Sequence, residues 1–155
     1  MNPNLRVSAS QIALADLSLP RQSISFRSSW RTDGSHQDTA CEVDFVKLDD
    51  WLVANDVGRV DLIKLDVDGN EYGVLAGGIE MLKRDKPIFL MEMVGPHFAD
   101  SNRNPYLLLE SLGYKFSNTD TGAVYSGVDA MRGLIPADDT EMTASINILG
   151  VVPRV

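Results

Sequence analysis

The segment VDLIKLDVDGNEYGVLAGGIEMLKRDKPIFLMEMV constrains the fold more than any other part of the chain. Its two apolar runs, residues 60–67 and 86–94, show little alternation, the pattern of strands buried on both faces, and such strands belong mostly to parallel sheets. Between them Tyr72, Leu75, Ile79 and Leu82 recur at spacings of 3, 4 and 3, which draws one apolar stripe down a single helix ending in KRDK before Pro87. The result is a strand, helix, strand unit whose two strands should lie parallel and adjacent, joined by a right-handed crossover.

The alternation continues on both sides. LDDWLVAND is predicted as a helix before the first of these strands, and NPYLLLESLG as one before YKFSNTD, with Gly113 closing it. ASINILGVV reads as a closing strand, and residues 117–143, rich in Asp, Thr, Gly and Ala, as a loop open to motion. The N-terminal part differs: IALADLSLPRQSISFRSSW and ACEVDFVKL are two β-leaning segments about a polar turn near Thr32 to Ser35, a hairpin or irregular excursion rather than a crossover. With 155 residues, 44% of them hydrophobic, the chain can bury one core, so residues 1–155 are expected to form a single α/β domain.

Charge and cysteine content narrow the partners. A formal net charge of −8 and a pI near 4.6, with no cluster of Lys and Arg, would repel phosphate backbones and anionic lipid, so neither nucleic acid nor a membrane is expected. A single cysteine, Cys41, permits no internal disulfide, and no signal segment or apolar run of spanning length is present, so a reducing cytoplasm is the expected compartment. Cys41 itself, in ACEVDFV with no nearby His, is expected as a small hydrophobe on a strand.

Three chemistries compete for KLDVDGNEY, where Asp66, Asp68 and Glu71 surround Gly69. A calcium loop beginning D-x-D needs glycine at its sixth position and a bidentate Glu at its twelfth. Counted from Asp66 these positions hold Glu71 and Gly77; counted from Asp68 they hold Gly73 and Ile79, so ligands are missing in either register and no metal is expected. LDVDGN also resembles the first motif of haloacid dehalogenase-type phosphatases, a strand ending in a nucleophilic Asp with a second Asp two residues on, and FSN and Asp138-Asp139 imitate later motifs. However, Asn70 and Glu71 stand where that family has Thr or Val and then Leu, and no lysine lies between Ser117 and Asp138. The roughly twenty residues between the imitated motifs are too few for βα units of roughly 30 residues each.

The third chemistry covers more of the chain. DLIKLDVDGNEYGVLAGGIEMLKRDKPIFLMEM closely resembles the FkbM-type family of S-adenosylmethionine-dependent methyltransferases, whose signature is a strand ending I-K-I-D-[VI]-[ED]-G, then x-E, a helix beginning E-x-x-V-L-x-G, and K-P before a strand ending in Glu. Asp61, Lys64, Asp66, Gly69, Glu71, Leu75, Gly77, Pro87 and Glu92 match that signature. More loosely, IALAD is similar to the family's A-[LV]-S-D segment, VKLDDWL to its T-L-D-D, and LGYKF to its G-Y, so the similarity runs from Gln11 to Val152. The resemblance implies a Rossmann-like methyltransferase sheet with LDVDG in the place of the fourth strand, S-adenosylmethionine as cofactor, and a small-molecule or carbohydrate hydroxyl as acceptor. An acceptor oxygen would attack the sulfonium methyl in line while a carboxylate orients or deprotonates the hydroxyl.

Asp66 and Glu92 fall at the C-terminal ends of their strands, where ligands of open parallel sheets bind, and are the candidate catalytic residues. Lys64, Asp68, Glu71 and His97 are candidates for substrate binding. Each also has a structural reading. Asp68 and Glu71 have the D-x-x-E spacing of a capping box, and Lys64 is placed to pair with a neighbouring carboxylate. Glu92 interrupts an apolar run, which is costly unless it is partnered or near a cleft, and His97 in GPHF is an acid or base, or simply a loop histidine. Gly73 and Gly77, a turn apart, suit close helix packing better than a phosphate cradle.

The chain departs from the family in one respect. A full enzyme of this type opens with a strand, a glycine-rich loop and a second strand ending in an acid for the ribose. No G-x-G occurs here, and only MNPNLRVSAS precedes the IALAD segment. The expectation is therefore a Rossmann-like sheet truncated at its N-terminus, with Asp16 as the candidate cofactor-binding residue and residues 1–20 packed away from the LDVDG strand. Two functional classes follow: a methyltransferase complete only with its missing N-terminal half or a partner that supplies it, and a non-catalytic remnant or binding subunit; separately, an exposed sheet edge there is expected to favour self-association.

Overall fold

The computed structural model describes residues 6–27, 38–67, 69–136, 138 and 144–153. The polar turn near Thr32 to Ser35 and the candidate residue Asp68 lie outside the described residues. Eleven helices and strands, apart from three short 3-10 turns, carry the described fold: β1 (Ile12–Leu14), β2 (Leu19–Arg27), β3 (Asp38–Val46), α1 (Leu48–Ala54), β4 (Leu62–Leu65), α2 (Glu71–Gly77), α3 (Ile79–Asp85), β5 (Ile88–Val94), α4 (Pro105–Ser111), β6 (Lys115–Asn118) and β7 (Ser145–Val151).

The predicted parallel pair is present. β4 lies beside β5 with Leu62 opposite Ile88 and Leu65 opposite Met91, in a sheet of order β4-β5-β7-β6. β7 runs antiparallel to both β5 and β6, so β4, β5 and β6 share one direction. The N-terminal segment forms its own sheet, order β1-β3-β2: β2 and β3 pair antiparallel as the hairpin expected of them, and β1 pairs parallel with β3 rather than with β4.

Three expectations are corrected. The strands β4 and β5 are buried on one face only. Phe89, Met91 and Met93 alternate into the core at 0–1% exposure, joined by Leu65, while Leu62 is 60% and Ile88 43% exposed on the opposite face. The helices α2, α3 and α4 contribute Val74, Leu75, Met81, Leu82, Tyr106 and Leu109 to a single core on the covered face, each such side chain gaining about 1.5–3 kcal/mol from burial. The apolar stripe from Tyr72 to Leu82 also lies on two helices, not one. Gly78 leaves the helical region with φ −114° and ψ 22°, and α3 starts afresh after it. The free amides at that start are met from α1, where the Asp49 carboxylate accepts from Glu80 N at 3.0 Å and Met81 N at 2.9 Å. The segment after β6, read as a loop, packs as well: Val128, Met131 and Ile135 are buried in the core. Gly113 follows α4 as expected, its N–H donating to Glu110 O at 2.9 Å.

The break between α2 and α3 seats the N-terminal sheet. Gly77 passes so close to the Ala15 carbonyl oxygen that a methyl group there would overlap it. Ala15 in turn donates to Val46 O at 3.0 Å, so the contact reaches β3. At the far end of the helix pair, Asp85 accepts from Val60 N at 3.0 Å and from both Nε and Nη2 of Arg84 at 2.7 Å, while Arg84 also donates to Gly58 O at 3.0 Å. The hydrogen bonds from Arg84 hold the Asp85 carboxyl down at about 2.

Two outcomes are expected in denaturation experiments. Gly77→Ala should lose about 1–3 kcal/mol of stability in urea, whereas Gly58→Ala, with open space around it, should change it by less than about 0.5 kcal/mol. Because the folded pKa of Asp85 is depressed, its contribution is complete above the ordinary aspartate range and fades as pH falls from about 4 to about 2. Melting temperatures of Asp85→Asn should accordingly fall less steeply over that window than those of the unmodified protein.

Candidate active site

The sequence-predicted residues separate into three groups. Lys64 lies on β4 opposite Leu90, and Glu92 lies two residues further along β5, so both occupy the uncovered face of the sheet. Asp66 follows immediately after β4 and forms an ion pair with Lys64, each side chain nearly half exposed. Glu92 is half-buried opposite Asn147 of β7, and its carbonyl accepts from the Tyr106 hydroxyl at 3.4 Å. These three residues form the open, solvated group.

The second group is buried. Glu71 is 3% exposed and His97 5% exposed, and His97 Nε2 lies 2.7 Å from Glu71 Oε2. His97 Nδ1 accepts from Val94 N at 3.4 Å, which leaves the ring proton on Nε2 for donation to the carboxylate. Glu71 Oε1 accepts from Val67 N at 3.2 Å and Oε2 from Gly69 N at 3.1 Å. Burial pushes the Glu71 carboxyl up, but the His97 ring and the Glu71 and Val67 amides outweigh it and hold the group below its usual value. Both ring nitrogens and both carboxylate oxygens are thereby committed inside the fold.

This pairing revises the capping reading. Helix α2 begins at Glu71 with Asn70 as its cap residue, and the Asn70 side chain makes no cap hydrogen bond. Asn70 Nδ2 instead donates to Leu14 O at 2.9 Å, which ties the LDVDGN loop to β1. Gly69, at φ +106°, supplies the left-handed turn that lets the loop fold back onto the Glu71 carboxylate. Tyr106 packs beside the pair, its ring 5.7 Å from that of His97, and its hydroxyl titrates well above the ordinary value because of burial and the charges of Glu71 and Glu92.

Asp16 belongs to a third group that sequence reasoning saw only in part. Arg103 Nη1 donates to Asp16 Oδ2 at 3.2 Å, and the guanidinium carbon stands 4.9 Å from the centre of the Tyr72 ring. Arg103 and Tyr72, with Gly69, Gly73, Pro96 and His97, line a cavity of about 150 Å³ beyond the C-terminal ends of β4 and β5. Arg103 sits in a polar turn, SNR, that carries no recognisable motif. A larger groove of about 520 Å³ runs along the outer edge of β4 from Arg59 to Val67, walled by Leu14, Trp51 and Met81.

No group of three or more His, Cys, Asp or Glu side chains is placed to hold a metal ion among the described residues. None of the described helices is long and apolar enough to cross a membrane.

The buried pair generates a stability prediction. His97→Ala leaves the Glu71 carboxylate without its imidazole partner and should cost about 3–5 kcal/mol in urea denaturation. A cost below about 1 kcal/mol would show that the carboxylate is satisfied by the loop amides alone.

No curated protein and no solved structure matches the chain. The family model of the methyltransferase FkbM domain matches residues 7–116, from the strand β1 through the LDVDG loop and both helices to β6. That span is most of the chain and holds each of the sequence-predicted site residues, which also sets aside the dehalogenase-type reading. This protein belongs to the FkbM methyltransferase domain family.

Proposed function

We propose that this chain serves S-adenosylmethionine-dependent O-methyl transfer to a small-molecule or carbohydrate hydroxyl, in a reducing cytoplasm, and that it supplies the acceptor side of the site. The observation that carries this reading is the position of the family's LDVDG motif: it leaves the C-terminal end of the parallel pair β4 and β5 and turns into α2. Open sheets place their ligands beyond such strand ends, in keeping with a Rossmann-like arrangement in which β4, β5 and β6 point one way.

Asp66 is the residue we assign to the acceptor hydroxyl. It is exposed and carries one ion pair, with Lys64, so its carboxylate can exchange that partner for a substrate hydroxyl and orient or accept its proton. Lys64 pairs with the carboxylate from the same strand end. Glu92, half-buried on that face, is the second acidic group available to an acceptor. Glu71 and His97 hold the loop that carries Asp66, and His97 also lines the cavity at the strand ends.

The residues present do not by themselves fit the cofactor. The cavity at the strand ends, about 150 Å³, is smaller than the roughly 300–1,000 Å³ that a ligand of nucleoside size or more occupies. The groove of about 520 Å³ is large enough, but it follows the edge of β4 along its whole length and is walled mainly by apolar side chains. The acids near it are engaged, Asp61 with Arg59 and Asp66 with Lys64. Asp16 lines neither space and faces Arg103. We therefore assign the cofactor-holding part to a partner chain or segment packed on the open edge of β4. The misfit favours a second reading as well, a non-catalytic binding subunit.

Calorimetry with S-adenosylmethionine on the chain alone should give a Kd weaker than about 100 μM, corresponding to less than about 5.5 kcal/mol of binding. Micromolar binding would overturn the divided site. In the enzyme purified with its natural partners, Asp66→Asn should leave the melting temperature unchanged. It should slow single-turnover transfer from labelled S-adenosylmethionine by about 100-fold or more. Unchanged transfer in that variant, or none in the unmodified assembly, would favour the binding subunit.

A further inference from the structure

We propose that the cavity beyond β4 and β5 holds a carboxylate carried by the acceptor, read by Arg103. This rests on the acceptor-side assignment above and adds the chemical class of the acceptor. At about 150 Å³ the cavity has room for about five non-hydrogen atoms, taking roughly 30 Å³ for each water-sized group. That is a carboxylate with its attached carbons and not a nucleoside.

Among the described residues Arg103 contributes the one lysine or arginine side chain in that lining, on a chain whose formal charge is −8. Its planar fork is held in place by the Tyr72 ring and by a single nitrogen on Asp16, so its remaining N–H groups have no acceptor among the described residues. The adjacent Asn104, 1% exposed, anchors this turn, its oxygen accepting from Tyr106 N and Leu107 N at the start of α4. The acids nearby select against a dianion: Asp16 already faces the guanidinium, and Asp100 lines the cavity while its Oδ1 accepts from Asn102 N. A carboxylate, with one charge, meets less repulsion there than a phosphate.

The test is a titration of the chain with glucuronate and with glucose, followed by amide chemical shifts of residues 69–73 and 95–103. Glucuronate should bind at least about fivefold tighter than glucose, and Arg103→Gln should abolish the difference. Arg103→Lys should keep part of it. Asp16→Asn should tighten glucuronate binding by about threefold or more, because the guanidinium loses its internal competitor. Equal binding of the two sugars, a difference that survives Arg103→Gln, or weaker glucuronate binding in Asp16→Asn would each overturn the proposal. Thermal denaturation identifies any variant that fails to fold, and Asp16→Asn and Arg103→Lys then decide the outcome. S-adenosylhomocysteine titrated into the same samples reports on the cofactor assignment alone, so the two readings fail separately.

Discussion

A carboxylate that is 3% exposed stays ionised only if fixed partners replace its water, and Glu71 has an imidazole and two backbone amides in that role. Those partners come from both sides of the sheet's ligand-facing end. Val67 and Gly69 belong to the loop leaving β4, and His97 to the turn leaving β5. Each bond is local to the site, yet together they close the two strand ends onto each other. The cavity beneath Arg103 and the position of Asp66 both follow from where that closure leaves the LDVDGN loop.

The same loop is braced from the N-terminal sheet. Asn70 reaches Leu14, Gly77 admits the Ala15 carbonyl, and Asp16 meets Arg103, so three consecutive features of the β1 region land on the α2 side of the site. None of them is a hydrophobic contact. A sheet of three strands is thus oriented on the main body by hydrogen bonds, an ion pair and one close approach, with Leu14 of β1 also packed against the apolar core of the four-stranded sheet and its helices. Such polar joints fix register well, and they move with pH and charge substitution more readily than a packed interface does.

The parallel pair, the hairpin and the closing strand were legible because apolar runs, turn residues and spacing are local properties. What failed was whatever depended on a second layer. An apolar residue such as Leu62 or Ile88 signals that a strand can be covered on that face, not that a layer is there to cover it. The stripe from Tyr72 to Leu82 keeps its period across Gly78 because the break costs one turn while the apolar side remains common to both helices. Its cause, the Asp49 carboxylate, lies about thirty residues earlier in the chain. Glu71 and His97 were both singled out, but separately. Their union spans 26 residues and exists only once two strand ends are side by side. Arg103 gave no signal at all, since a cation in a polar turn has no pattern.

The carboxylates around Gly69 therefore divide by accessibility. A group that orients a substrate hydroxyl must give up a partner and take another within each turnover, which demands a weak, exposed contact. Asp66 with Lys64 has that character, whereas Glu71 has three hydrogen-bonding groups around it and is 3% exposed. Exchanging their roles would require the buried carboxylate to lose His97 at each cycle, at a cost of the order of 3–5 kcal/mol. That is a slowing of about 150-fold or more before any chemistry begins. The loop commits the buried Glu71 to geometry and leaves Asp66, with its exposed ion pair, at the open strand end two residues beyond Lys64.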